Sequence, residues 1–200
     1  MLLSIHASKI IFIFHKKSCL PEGYKTQADR SADITPKPCA IEAIELDEQW
    51  SYVHSKANQQ WLWYAWSRDK KCILYYVIGK RTDASCKKLL EGIRDCQIED
   101  YYTDNWQSYS KCIPASKHFI SKKYTQGIER NNLNFRTHLK RLHRKTICFS
   151  KDQSMHEAVI KLYINHAKAM TSKILKHDLR MKSGSYLLES QGKYFGSSLS

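Results

Sequence analysis

The sequence predicts an α/β protein built on a central mixed sheet with flanking helices. Three observations predict it. Residues 42–78 contain three apolar, strand-like runs separated by short polar turns. Beyond them, short strand-like runs alternate with segments whose apolar residues recur at helical spacing. The 200 residues are 42% apolar and 12% aromatic, enough to enclose a sizeable core and too many for a disordered chain.

The elements follow in order. Residues 1–40 have no period, and Pro21, Gly23, Pro36 and Pro38 mark a poorly ordered leader. Its apolar run, Ile10 to Phe14, is shorter than the ~7–15 residues of a signal-peptide core, so export is not expected. Residues Glu42–Val53 alternate apolar and polar, as a half-buried strand does. Trp61–Trp66 and Cys72–Ile78 are the second and third strands of an antiparallel meander, and Gly79 stops the last. Thr82 is placed to cap a helix whose stripe is Ala84, Leu89, Leu90 and Ile93. A fourth strand spans Ile98–Thr103, with Asp104 at its C-terminal end, and a short helix spans Trp106–Lys111 before Pro114. His118–Ile120 is a fifth, short strand. Thr125 opens a longer helix through Arg144, with Ile128, Leu133, Phe135, Leu139 and Leu142 on its apolar side. An amphipathic helix follows over Ser154–Ala169. The division expected is a leader at 1–40, a domain at 41–150, a basic helical extension at 151–182 that packs on or extends the domain, and a frayed tail at 183–200.

The charge is unevenly placed. The chain carries 33 basic and 19 acidic residues, a net +14, yet residues 1–110 contribute only +1. Residues 111–182 hold 17 basic and 4 acidic side chains, a net +13. That stretch reads as a polyanion-binding surface, because Lys and Arg displace the counterions condensed on phosphates. Its Tyr, Phe, Asn and Gln favour nucleic acid over a merely solubilising face. No run approaches the ~20 apolar residues of a membrane span. There is no Walker-type loop and no G-x-S-x-G elbow, so no small-molecule substrate is expected. The seven cysteines contain no C-x-x-C pair, and His138, His143 and Cys148 lack paired zinc-ligand spacing. Free thiols fit a reducing, cytoplasmic setting.

Acidic residues are scarce in the basic half, which draws the eye to those that remain. Asp47 lies in the first strand, Asp104 just past the fourth, and Glu129 in the first turns of the long basic helix. If the first and fourth strands are neighbours, these three converge at one end of the sheet. Converging carboxylates in a positive surround suit hard divalent cations, and a pair of ions suits phosphodiester chemistry. Taken singly, each has an ordinary reading: Asp104 as a turn residue, Glu129 as a partner for the helix dipole, Asp47 as one of a solvated acidic run with Glu45 and Glu48.

The segments Leu46–Trp50, Tyr102–Trp106, Ser121–Arg136 and Leu142–Lys151 resemble the catalytic region of the insertion-sequence-one transposases, over roughly residues 39–166. The resemblance implies a DDE recombinase on an RNase H-like fold, βββαβαβα, with Asp47, Asp104 and Glu129 as the catalytic, metal-binding triad. It matches Arg136 to the basic residue that follows the glutamate, and seven residues place Arg136 on the helix face of Glu129. The likeness departs at Asn105, where a Gly is frequent, and Gly127 interrupts the helix start at a cost of up to ~1 kcal/mol against Ala. Residues 1–38 and 167–200 lie outside it. In that family an upstream frame supplies a zinc finger and a helix-turn-helix, so this chain resembles the downstream frame with an unrelated start, or a decayed copy.

The function so implied is DNA strand cleavage and 3′-OH strand transfer that moves an insertion sequence, with Mg²⁺ or Mn²⁺, as two ions. The partners implied are element ends and target DNA, and a homo-multimer or full-length transposase. Lys122, Lys123, Arg130, Arg136, Lys140, Arg141, Arg144 and Lys145 are the candidate phosphate contacts, and Tyr124, Asn131 and Asn134 are secondary ones. Trp50 and Trp106, beside the acidic segments, read first as packing residues. Two other classes stay open. One is a catalytically incomplete remnant that binds DNA non-specifically or inhibits a full-length partner. The other is a hydrolytic nuclease without strand transfer.

Overall fold

The computed structural model describes residues 38–121, 124–143 and 145–192, with side chains through residue 173. The leader, except its last three residues, and residues 193–200 of the tail lie outside the described residues.

Strand β1 (Ala40–Tyr52) forms an antiparallel meander with β2 (Gln59–Ser67) and β3 (Cys72–Gly79). Helix α1 (Asp83–Glu91) then crosses back to β4 (Gln97–Thr103), which pairs with β1 in parallel. Helix α2 (Gln107–Cys112) leads to β5 (His118–Ile120), parallel to β4. The sheet order is β3-β2-β1-β4-β5. This is the expected α/β, RNase H-like mixed sheet. Helices α3 (Gln126–His138) and α4 (Gln153–Gly192) complete the described chain.

Strand alternation sends side chains to two cores. On one face Ile44, Leu46, Trp63, Ala65 and Leu74 pack with Leu89, Ile93, Tyr109 and Ile113 of the α1–α2 side. On the other, Leu62, Tyr64 and Ile73 pack with Ile128 and Phe135 of α3 and with Met155, Val159, Ile160 and Ile164 of α4. The result is three layers, with β1 in the middle of the sheet.

Two helices depart from expectation. The helix expected to run to Arg144 ends at His138, because Leu139 turns extended (φ −109°, ψ 96°) and a 3-10 turn follows at Lys140–Leu142. The turn buries both Leu139 and Leu142 in the α3–α4 core, so tertiary packing outweighs helix propensity. The last helix runs past Ala169 to Gly192, and residues 183–192, expected as frayed tail, continue it. No proline follows Pro114 to stop it.

Gly127 has a packing reason. A Cβ there would lie 2.3 Å from Cζ3 of the Trp66 ring, so the bare glycine lets the start of α3 lie against β2.

Candidate metal and nucleic-acid site

Parallel pairing of β1 with β4 aligns Glu45 with Tyr102, which carries Asp47 and Asp104 to the same end of the sheet. Carboxylate oxygens of Asp47, Glu48 and Asp104 all lie within 4.8 Å of one another. Asp104 is fixed by its own turn: its Oδ1 accepts the Trp106 N–H at 3.1 Å. The Thr103 hydroxyl donates to the Asp104 carbonyl at 2.7 Å and sits 2.7 Å from Nε2 of His118 on β5.

Asp47 is held from two sides. Its Oδ1 accepts the Glu48 N–H at 2.8 Å, and its Oδ2 accepts the amide of Asn132 on α3. The Asn132 Oδ1 in turn lies 2.9 Å from the hydroxyl of Tyr64, the residue paired with Asp47 across β1 and β2. That hydroxyl also lies 3.0 Å from the Ile128 carbonyl. Burial pushes the Asp47 carboxyl up to about 6, against the two hydrogen bonds, and the charges of Asp104 and Glu129 push the same way.

Glu129 lies in the first turn of α3, exposed to solvent, and outside the tight oxygen cluster. Its charge adds to the rise at Asp47. Asn132 and Arg136 follow at three and seven residues, on one helix face. Arg136 is half-buried, makes no hydrogen bond or ion pair among the described residues, and its charge is felt at the buried Tyr64 hydroxyl.

Glu45 and Glu48 are not a solvated acidic run: both are buried, on opposite faces of β1. Glu45 accepts the Ile128 N–H at 2.7 Å, capping the start of α3 from the sheet, and pairs with Arg68 at 2.7 Å. Glu48 accepts Arg81 at 2.6 Å and the Tyr109 hydroxyl at 2.7 Å. Burial raises its carboxyl to about 7, with Asp47 and Asp104 adding to the rise against those bonds. Arg81 is itself sandwiched, 4.8 Å from the Trp61 ring centroid and 4.7 Å from that of Trp106. Trp106 thus packs as a wall, on Trp63 at 5.0 Å. Trp50 is half-buried beside Tyr52 at 5.4 Å.

The donor set is entirely oxygen, which fits a hard divalent cation. Sequence reasoning missed Asn132, Tyr64, Glu45 and Glu48 as supports of this site. Two signals were available: Asn132 stands three residues after Glu129, and Glu45 shares a strand face with Asp47.

The candidate phosphate contacts divide. Arg130 is exposed; Arg136 and Lys140 are half-buried. Arg141 is drawn into structure, donating to the Ser150 hydroxyl at 3.2 Å. Lys122, Lys123 and Arg144 lie outside the described residues. Among the described residues no helix is long and apolar enough to cross a membrane.

The profile of the IS1 transposase family matches residues 40–171. The insertion element iso-IS1n protein InsB of Shigella dysenteriae is 50% identical over 120 residues, 60% of this chain and 92% of its own length. The insertion element IS1 2 protein InsB of Escherichia coli (strain K12) is 42% identical over 132 residues, 66% of this chain and 79% of its own. Among solved structures, the cryoEM structure of a simian T-cell lymphotropic virus intasome in complex with PP2A regulatory subunit B56 gamma contains a chain that superposes with a TM-score of 0.44 at 15% identity. The match covers 62% of this chain and 49% of that one.

Proposed function

Because the chain belongs to the IS1 transposase family, we propose that it carries out the DNA strand cleavage and 3′-OH strand transfer that move an insertion sequence. The observation that carries this reading is the meeting of Asp47 and Asp104 at one end of the sheet, with Glu129 in the first turn of the helix whose Asn132 holds Asp47.

Asp47, Asp104 and Glu129 are the residues that would hold Mg²⁺ or Mn²⁺, as a pair of ions. When bound, the metal supplies activation of the attacking oxygen and charge stabilisation on the leaving one. The chain's own residues do the rest. Asn132 orients the Asp47 carboxylate, and its Tyr64 contact keeps the amide oxygen turned away from Asp47. Thr103 and the Trp106 amide hold Asp104 in its turn. Arg136 takes a DNA phosphate beside the carboxylates, and Arg130 and Lys140 extend the grip along the backbone without reading sequence. Lys122, Lys123 and Arg144 belong to the same basic stretch. The DNA partners are element ends and target DNA, gripped by a multimer of this chain or with a full-length transposase.

The test is a nicking and strand-transfer assay on supercoiled DNA carrying candidate element ends. Wild type and Glu129→Gln are compared with Mg²⁺ and with EDTA. Cutting or joining by wild type only with metal, abolished in Glu129→Gln, is the expected outcome. DNA bound but intact under every condition would instead support the binding-only remnant.

A further inference from the structure

The sheet edge beyond the start of α3 carries aromatic surface that the carboxylate chemistry does not use. Phe119 is 44% exposed and Tyr124 48% exposed, and both meet on Tyr102 of β4. Phe119 stacks on Tyr102 with centroids 5.3 Å apart and planes 23° apart, and Tyr124 lies 5.5 Å from the same ring. The Arg68 guanidinium sits 3.8 Å from the Tyr102 centroid and 5.9 Å from that of Tyr124. Single exposed aromatics are ordinary, but a stacked cluster with a cation over it is a surface with a use.

This surface shares its anchors with the carboxylate site. Glu45 holds Arg68 and, through its other oxygen, the N–H of Ile128, the residue before Glu129. Tyr102 precedes Asp104 by two residues. The occupant must suit an aromatic surface that lies at the same end of β4 as Asp104. The adjoining chain is strongly basic: Lys122 and Lys123 directly precede Tyr124, and residues 111–182 carry a net +13. A polyanion with flat apolar faces meets both requirements, and a nucleic-acid strand is one. Inside a duplex those faces are covered by neighbouring bases and a terminal pair exposes only one, so the base best able to settle among these rings is an unpaired one.

We propose that Tyr124, with Phe119 and Tyr102, is a stacking platform for an unpaired DNA base next to the strand end held at the carboxylates. The proposal rests on the DNA reading above and adds to it a strand-state preference and the residues that set it.

The test uses the full chain and two duplexes, one blunt and one with a short single-stranded overhang bearing 2-aminopurine. Wild type binds the overhang more tightly than the blunt duplex and quenches the 2-aminopurine fluorescence. Tyr124→Ala weakens overhang binding by roughly 5- to 150-fold, leaves blunt-duplex binding within about twofold, and loses the quench. Tyr124→Phe retains all three properties. Circular dichroism confirms that each variant is folded. Equal loss on both duplexes, or a quench that survives Tyr124→Ala, overturns the platform while leaving DNA binding standing. A self-association lost in Tyr124→Ala with no effect on the overhang overturns it in favour of a contact between copies. Wild type that binds neither duplex sinks the DNA reading along with it.

Discussion

At the scale of single residues, Gly127 carries the clearest consequence. Its backbone is helical, so its lack of a side chain is a cost to α3 taken alone. The Trp66 ring fills the space a Cβ needs. Gly127→Ala is therefore expected to destabilise by about 1–3 kcal/mol despite better helix propensity, read as a lowered midpoint in urea. Trp66→Leu in the same chain should remove most of that penalty, because it clears the obstacle. Asn132 is the other telling residue. Asn132→Leu removes the donor to Asp47 and leaves the Tyr64 hydroxyl with the Ile128 carbonyl alone. Metal-dependent cleavage should fall by tenfold or more while DNA affinity stays within about twofold. A purely structural role would instead lower the thermal midpoint with no preferential loss of cleavage.

At the scale of elements, a buried chain of hydrogen bonds joins two strands, a loop and a helix. Arg141 donates to Ser150 and the Ser150 hydroxyl meets Nδ1 of His156 at 2.7 Å. Nε2 of His156 meets the Ser51 hydroxyl at 3.1 Å, and Ser51 donates to the Gln60 carbonyl. With Ser51 donating onward, Nε2 of His156 gives its proton to Ser51, and Nδ1 of the neutral ring accepts from Ser150. Burial lowers its pKa to about 4, and the Arg141 charge adds to the drop. The unfolded chain takes up that proton below about pH 6.5 and the native chain does not. Stability from this residue is therefore full above pH 6.5 and is lost as pH falls toward 4, by at most about 3 kcal/mol. His156→Gln should flatten that limb of the stability profile, measured by denaturant titration at pH 7 and pH 5. None of this was legible in the sequence, where His156 is one polar residue on an amphipathic helix. The strands were legible because alternation and polar turns are local signals. The end of α3 at His138 was not, because Leu139 and Leu142 leave the helix for a core contributed by distant α4 residues. Asp47, Asp104 and Glu129 were legible as positions, but the buried partners that hold Asp47 come from register and helix docking.

At the scale of the whole molecule, the charge asymmetry sets how DNA binding responds to salt. Each phosphate contact removed should lower the slope of log affinity against log salt by about 0.9 on duplex DNA. Arg130→Ala and Arg136→Ala are expected to do so in fluorescence anisotropy titrations at several salt concentrations. Arg141→Ala should instead lower the melting temperature, since its guanidinium serves the buried chain to Ser150. The parallel pairing of β1 with β4 has a last consequence, in the order of synthesis. Asp47 leaves the ribosome well before Asp104, and the strand that will stand beside it is separated from it by the rest of the meander and α1. Contacts that close long loops form late, because the chain entropy is lost before the contacts return it. The core that seats α3 also needs Val159, Ile160 and Ile164 of α4. A nascent chain therefore holds Asp47 and Asp104 apart until β4 has emerged, and a product truncated before α4 lacks the core that seats the helix carrying Glu129 and Asn132.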